Sequence, residues 1–226
     1  MRLFVTGTDT GVGKTEIALG LLRVMAARGE RPFACKPWES GGRDTDSDAT
    51  RLRQAAGGWQ RADQVCLYRL AAPLAPAMAA ELERRRLSFA RVVRHVRGLT
   101  GSGVVEGAGG LYVPVDAKHD VIDLVREVKL PVVLVARAGL GTINHTSLSL
   151  HALEAIGAEV AAVVLVQGTR VADPSVPGNR RALERRFPAV RFVGPLPFEA
   201  NARRRAALVD DAVEPLVSAP RATSSR

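Results

Sequence analysis

The segment Gly7-Thr8-Asp9-Thr10-Gly11-Val12-Gly13-Lys14-Thr15 follows the apolar run Arg2 to Thr6 and leads at once into an amphipathic stretch, Lys14 to Arg28. A strand, a glycine-rich turn and a helix in that order form the context a phosphate-binding loop needs. The glycines let backbone N–H groups turn toward phosphate oxygens, and the helix start adds partial positive charge. Lys14 then reaches the β and γ phosphates, while the Thr15 hydroxyl offers Mg²⁺ a ligand. The strict spacing of such loops places glycine at position 8, where Thr8 stands, so this loop runs one residue longer from Gly7.

Apolar runs rich in Val, Ile, Leu and Phe recur along the chain: Arg2 to Thr6, Pro32 to Lys36, Gly103 to Glu106, Pro131 to Ala136, Glu159 to Gln167 and Val190 to Val193. These read as buried strands. Helical patterns fall between them, at Lys14 to Arg28, Ser47 to Ala56, Ser88 to Leu99, Val121 to Val128, Thr142 to Ile156 and Asn179 to Phe187. The alternation predicts a three-layer α/β fold whose mostly parallel central sheet is covered on both faces. A length of 226 residues, 46% apolar and 24% charged, suits one domain over 1–217, followed by a small, polar tail over 218–226. Ligands of such sheets collect at the carboxyl ends of strands, so the residues directly after each apolar run carry the information.

The second run ends in Cys35-Lys36-Pro37-Trp38-Glu39-Ser40-Gly41-Gly42. A lysine closing a buried run is costly unless its ammonium meets an anion, so Lys36 is a candidate for a second phosphate or a carboxylate, against the plainer reading of a side chain reaching to solvent. The third run delivers Glu106 and continues into Gly107-Ala108-Gly109-Gly110. A carboxylate there supplies the hard oxygen that Mg²⁺ prefers, and the glycines leave room for phosphate. Asp44, Asp46 and Asp48 precede the next helix; Asp48 reads either as its N-cap or as a second metal carboxylate. His145 follows a glycine-rich turn at a helix start, where polar side chains cap and pack, and that reading outweighs a general base.

A formal charge of +9, from 32 Lys plus Arg against 23 Asp plus Glu, raises the question of a polyanionic partner. Only four of the basic residues are lysines, the arginines sit at helical spacing among apolar residues, and aromatics make up 4% of the chain. Stacking platforms for single strands interleave aromatics with basic residues, so nucleic acid is not expected as a partner. Cys35 and Cys66 lack metal-ligand spacing and read as reduced thiols. With no apolar stretch of membrane-spanning length and no signal-peptide pattern at the start, a soluble, cytoplasmic protein without membrane contact is expected.

The phosphate loop, Lys36-Pro37-x-x-Ser40-Gly41, Ser47-Asp48-Ala49, Val105-Glu106-Gly107-Ala108-Gly109-Gly110 and Leu140-Gly141-Thr142-Ile143-Asn144-His145 together resemble the dethiobiotin synthetases, in that family's order over residues 7 to 145. The resemblance implies a single α/β domain with the P-loop NTPase fold, a homodimer, and a ligase that closes a cyclic urea on 7,8-diaminononanoate using CO₂, ATP and Mg²⁺. It implies that Lys14 and Lys36 are catalytic, that Thr15, Asp48 and Glu106 hold the metal, and that Thr10, Ser40 and Asn144 hold the diamine, Asn144 from the partner subunit. Nucleotide contacts fall to Gly11, Val12, Gly13, Lys14, Thr15, Glu16, Asp48, Glu106, Gly107, Ala108 and Gly109, with Gln167, Gly168, Pro197 and Phe198 toward the base. No protein nucleophile is required.

Two positions depart from the family pattern. Gly11 stands where an acidic loop residue is frequent, and Gln167-Gly168 stands where many members read adenine with asparagine. A different class, the partitioning and septum-site ATPases that switch on DNA or membrane, carries a signature lysine at the position of Asp9. A third, the amidoligases of cobyrinate type, needs a nucleophilic cysteine on a sharp glycine turn, which neither Cys35 nor Cys66 occupies.

Overall fold

The computed structural model describes residues 1–41, 47–171 and 173–218. In chain order the elements are β1 (Arg2–Gly7), α1 (Lys14–Ala27), β2 (Phe33–Cys35), β3 (Trp38–Ser40), α2 (Asp48–Ala55), α3 (Ala62–Val65), β4 (Tyr68–Leu70), α4 (Pro76–Leu82), α5 (Phe89–Gly98), β5 (Gly103–Gly110), α6 (Val121–Val128), β6 (Val132–Arg137), α7 (Thr142–Ala155), β7 (Val160–Val166), α8 (Val176–Arg186), β8 (Phe192–Leu196) and α9 (Ala202–Ser218). Six strands form one sheet in the order β2-β5-β1-β6-β7-β8, every pairing parallel. Short strands β3 and β4 form a separate parallel pair.

Strand side chains alternate between two buried layers. Leu3, Val5, Val133 and Val135 pack beneath α1, α2 and α9, while Phe4, Val105 and Val132 pack beneath α5, α6 and α7. A third cluster joins Leu134, Val163 and Leu165 to Leu183 of α8. Burial on both faces explains why the strands read as unbroken apolar runs. α1 sits deepest. A Cβ added at Gly20 would lie 2.5 Å from Val209 Cγ1, so the missing side chain is what lets α9 close over α1.

All six expected strands and all six expected helices are present, with ends displaced by a few residues. The differences have identifiable causes. β5 runs on to Gly110, which pairs with Gly7 of β1 across a register shift where Gly109 takes a φ of 58°. Ser47, not Asp48, caps α2: its Oγ accepts from Thr50 N–H at 3.2 Å, which frees the Asp48 carboxylate for other partners. Ser218 belongs to α9 rather than to a tail, its Oγ donating to Glu214 O at 3.0 Å; residues 219–226, like Asp44 and Asp46, lie outside the described residues. The start of α7 is likewise capped by Gly141 without a side-chain bond, so Asn144 and His145 do not cap it.

Phe4 is fully buried at the centre of the sheet, whereas Leu82, at the end of α4, is 68% exposed. Phe4→Ala is expected to lower the unfolding free energy by about 3–5 kcal/mol, and Leu82→Ala to change it by less than about 0.5 kcal/mol. Urea titrations of both variants check this ordering.

Candidate active site

Three strands of the main sheet end side by side. β5 holds Glu106 level with Val5 of β1, and parallel register pairs Val105 with Cys35 of β2, so the next residue, Lys36, emerges beside Glu106. Lys36 Nζ lies 2.6 Å from Glu106 Oε1 and 2.7 Å from Asp48 Oδ2. Thr15 Oγ1 donates to the same Glu106 oxygen at 2.8 Å. One carboxylate oxygen therefore ties the phosphate loop, β2 and β5 together.

Lys36 is 7% exposed and Glu106 1%. Burial disfavours the charge on Lys36, yet Glu106 and Asp48 outweigh it and hold its pKa above the ordinary lysine value. Burial also works against ionised Asp48, but Lys36 and Arg51 keep that carboxyl below the usual range. The stability contributed by Lys36 is complete below the unfolded lysine pKa and is lost as pH rises past its raised folded value. That of Asp48 is complete above the unfolded aspartate pKa and is lost as pH falls through its depressed folded value.

Lys14 behaves differently. Its Nζ donates to the Asp9 carbonyl at 2.7 Å. Burial lowers its pKa to about 8; Glu106 partly opposes this and Lys36 adds to it. Gly13 initiates α1 at φ 101° without a side-chain cap, leaving the helix's first amides free for an anion; a side chain at Gly13 would strain that turn.

Two cavities meet at Gly11, Gly13 and Glu16. The first, of 720 Å³, contains Thr10, Lys14, Thr15, Lys36, Ser40, Asp48, Glu106, Ala108 and Gly109 from the expected set. The second, of 520 Å³, contains Val12, Gln167, Gly168, Pro197 and Phe198. The cavity of the strand-end lysines thus adjoins the one lined by the residues expected near a base. Two expected residues lie elsewhere. Gly107 lines neither cavity, because β5 turns it toward Val121, 3.0 Å from where its Cβ would be. Asn144 is exposed at the start of α7, outside both.

The oxygens of Thr15, Asp48 and Glu106 form a hard donor set. Glu106 Oε2 is buried without a hydrogen-bond partner among the described residues, which suits Mg²⁺. The arrangement can therefore hold a triphosphate on the loop and the helix start, with a divalent ion beside Glu106.

Sequence reasoning missed Arg51, which lines the first cavity and bonds Glu16, and Arg205, whose Nε reaches Glu16 Oε2 at 3.2 Å. Arg51 lies one helical turn after Asp48, a spacing that places both on one face. Arg205 had no local signal, since α9 folds back from a distant part of the chain. It also missed Glu39 and the segment Pro73 to Pro76, both in the first cavity.

The fold and the site define a P-loop nucleotide-binding protein of the three-layer α/β class. Residues 1–205 match a family model described as an AAA domain. An ATP-dependent dethiobiotin synthetase BioD of Anaeromyxobacter dehalogenans (strain 2CP-C) is 48% identical over 211 residues, covering 90% of this chain and 93% of that protein. The BioD of Aquifex aeolicus is 39% identical over 168 residues, covering 73% and 76%. The chain belongs to the ATP-dependent dethiobiotin synthetase family. Among solved structures, one from the MinC:MinD cell division protein complex of Aquifex aeolicus covers 97% of both chains with a TM-score of 0.54 at 12% identity, a likeness of fold.

With its pKa lowered to about 8, Lys14 is expected to make nucleotide binding pH-dependent. A triphosphate on the loop raises that pKa again, so above about pH 8 ATP binding takes up a fraction of a proton and weakens as pH climbs. Calorimetry in buffers of different ionisation enthalpy should register this uptake in the native chain and lose it in Lys14→Met.

Proposed function

We propose that this ATP-dependent ligase forms dethiobiotin by activating a carbamate of 7,8-diaminononanoate in the cavity shared by Lys14 and Lys36. One substrate amine adds to CO₂, releasing a proton and giving the carbamate. A carbamate oxygen attacks the γ-phosphorus of ATP, ADP leaves, and a carbamic-phosphoric anhydride results. The second amine attacks the carbonyl carbon, phosphate departs, and the cyclic urea closes.

The observation that carries this reading is the buried Lys36 ammonium, held between Glu106 and Asp48 in the same cavity as Lys14. Carbamate and triphosphate repel each other, and catalysis consists largely of holding the two anions in line. Lys36 supplies a permanent charge. Lys14 supplies one that strengthens when phosphate arrives. The loop amides and the start of α1 cradle the β and γ oxygens, and Thr10 and Ser40 face the diamine. Mg²⁺, held by Thr15, Asp48 and Glu106, would neutralise charge on the triphosphate oxygens. Gln167, Gly168, Pro197 and Phe198 border the base.

The chain works as a homodimer in the cytoplasm, with neither nucleic acid nor membrane as partner. Leu140, Ile143 and Leu148 expose an apolar face at the start of α7, consistent with burial against a second subunit, and Asn144 then reaches the substrate of that subunit. Among the described residues no helix is long and apolar enough to cross a membrane.

Lys36→Gln removes one preorganised donor and is expected to lower kcat by ~10²–10³. Dethiobiotin formed from diaminononanoate, bicarbonate, Mg²⁺ and ATP, read by mass spectrometry, gives the answer. A variant within tenfold of the native rate contradicts the role of Lys36.

A further inference from the structure

Glu39 is a carboxylate for which neither the triphosphate nor the metal has a use. It is 6% exposed and lines the 720 Å³ cavity between Trp38 and Ser40. Oε1 accepts from Ala49 N–H at 3.2 Å, while Oε2 is buried without a hydrogen-bond partner among the described residues. A buried carboxylate oxygen left without a partner is costly unless a donor joins it.

The other acids of the cavity are already engaged. Asp48 meets Lys36, Glu106 meets Lys36 and Thr15, and Glu16 meets Arg51 and Arg205. Glu106 does keep an unpaired Oε2, but that oxygen belongs to the metal set beside Thr15. The phosphate loop offers no further acid: Gly11 has no side chain, and Asp9 Oδ1 and Oδ2 are taken by Thr10 N–H at 2.7 Å and Arg137 at 3.2 Å. A diamine near neutral pH arrives with ammonium groups and must approach two lysines and Arg51. It needs an anion on the side of the cavity away from the phosphate.

We infer that Glu39 is that anion: its carboxylate receives the ammonium of the amine not yet carboxylated and holds this end of the diamine beside Ser40. The role rests on the diamine reaction proposed above. It is a binding role, so its loss appears in the KM for the diamine and leaves the KM for ATP alone. Because Oε1 also anchors the start of α2, a purely structural part for Glu39 is the competing explanation. Glu39→Gln separates the two, since the amide oxygen still accepts from Ala49 N–H while the charge is gone.

Steady-state kinetics and thermal melting of Glu39→Gln and Glu39→Asp, run beside the native chain, test the inference. The expected result is a KM for the diamine raised about 10- to 100-fold in Glu39→Gln, the scale of one hydrogen bond to a charged group, with the KM for ATP within twofold and an unshifted melting curve. Glu39→Asp, which keeps the charge, should recover part of the loss. A diamine KM within twofold of native in Glu39→Gln overturns the role of Glu39 while leaving the reaction intact. If Glu39→Gln melts early, Glu39→Asp decides: a diamine KM nearer native supports the charge, and a KM for ATP raised in step with that for the diamine overturns it. Absence of diamine-dependent turnover in the native chain contradicts the reaction, and this role with it.

Discussion

An ammonium group taken out of water is tolerated when carboxylates replace its hydration, and the Lys36 ammonium has two within 2.7 Å. The geometry follows from strand register. Val105 pairs with both Cys35 and Phe4, so Lys36 and Glu106 leave the sheet together beside the end of β1. A shift of one residue between β2 and β5 would turn Lys36 to the opposite face and leave Glu106 buried and uncompensated. Loss of either partner of such a pair is expected to cost several kcal/mol, because the other charge remains buried. Thr15 shares the same Glu106 oxygen, so the position of the phosphate loop depends on this pair as well.

The two lysines occupy one cavity with opposite electrostatic settings. Lys36 is held charged by its carboxylates, whereas burial leaves Lys14 with a pKa of about 8 and room to respond to an anion. A fixed charge suits an intermediate that must be oriented, and an adjustable one suits a nucleotide that must arrive and leave. The acids divide similarly: Asp48 and Glu106 face Lys36, while Glu39 stands apart on β3.

Much of this was legible in the chain. A loop rich in glycine and a strand-end acid or lysine leave local signals, because their physical job is done within a few residues of a strand end. The central strands β1, β6 and β7 announced themselves by runs of Val, Leu, Phe and Ala. The short pair β3 and β4 did not: three residues each, broken by Glu39 and Arg69, carry too little periodicity. α9 escaped notice because its buried face of Val209, Val213 and Leu216 is narrow, sits among Asp210, Asp211, Glu214 and Pro215, and gains its burial from the distant α1. Asp48 read from the sequence either as a cap or as a metal carboxylate, and the bond from Thr50 N–H to Ser47 Oγ removes the first of these readings.

The central claim is that Lys14, Lys36 and a metal beside Glu106 converge on one anionic reaction centre. A crystal structure with Mg²⁺, a non-hydrolysable ATP analogue and the diamine tests it most directly. The account predicts Glu106 and Thr15 oxygens at about 2.0–2.1 Å from the metal, and both lysine nitrogens within hydrogen-bond reach of the γ-phosphate or of the amine that becomes the carbamate. A complex in which Lys36 points away from the γ-phosphate, or in which the metal sits remote from Glu106, contradicts it.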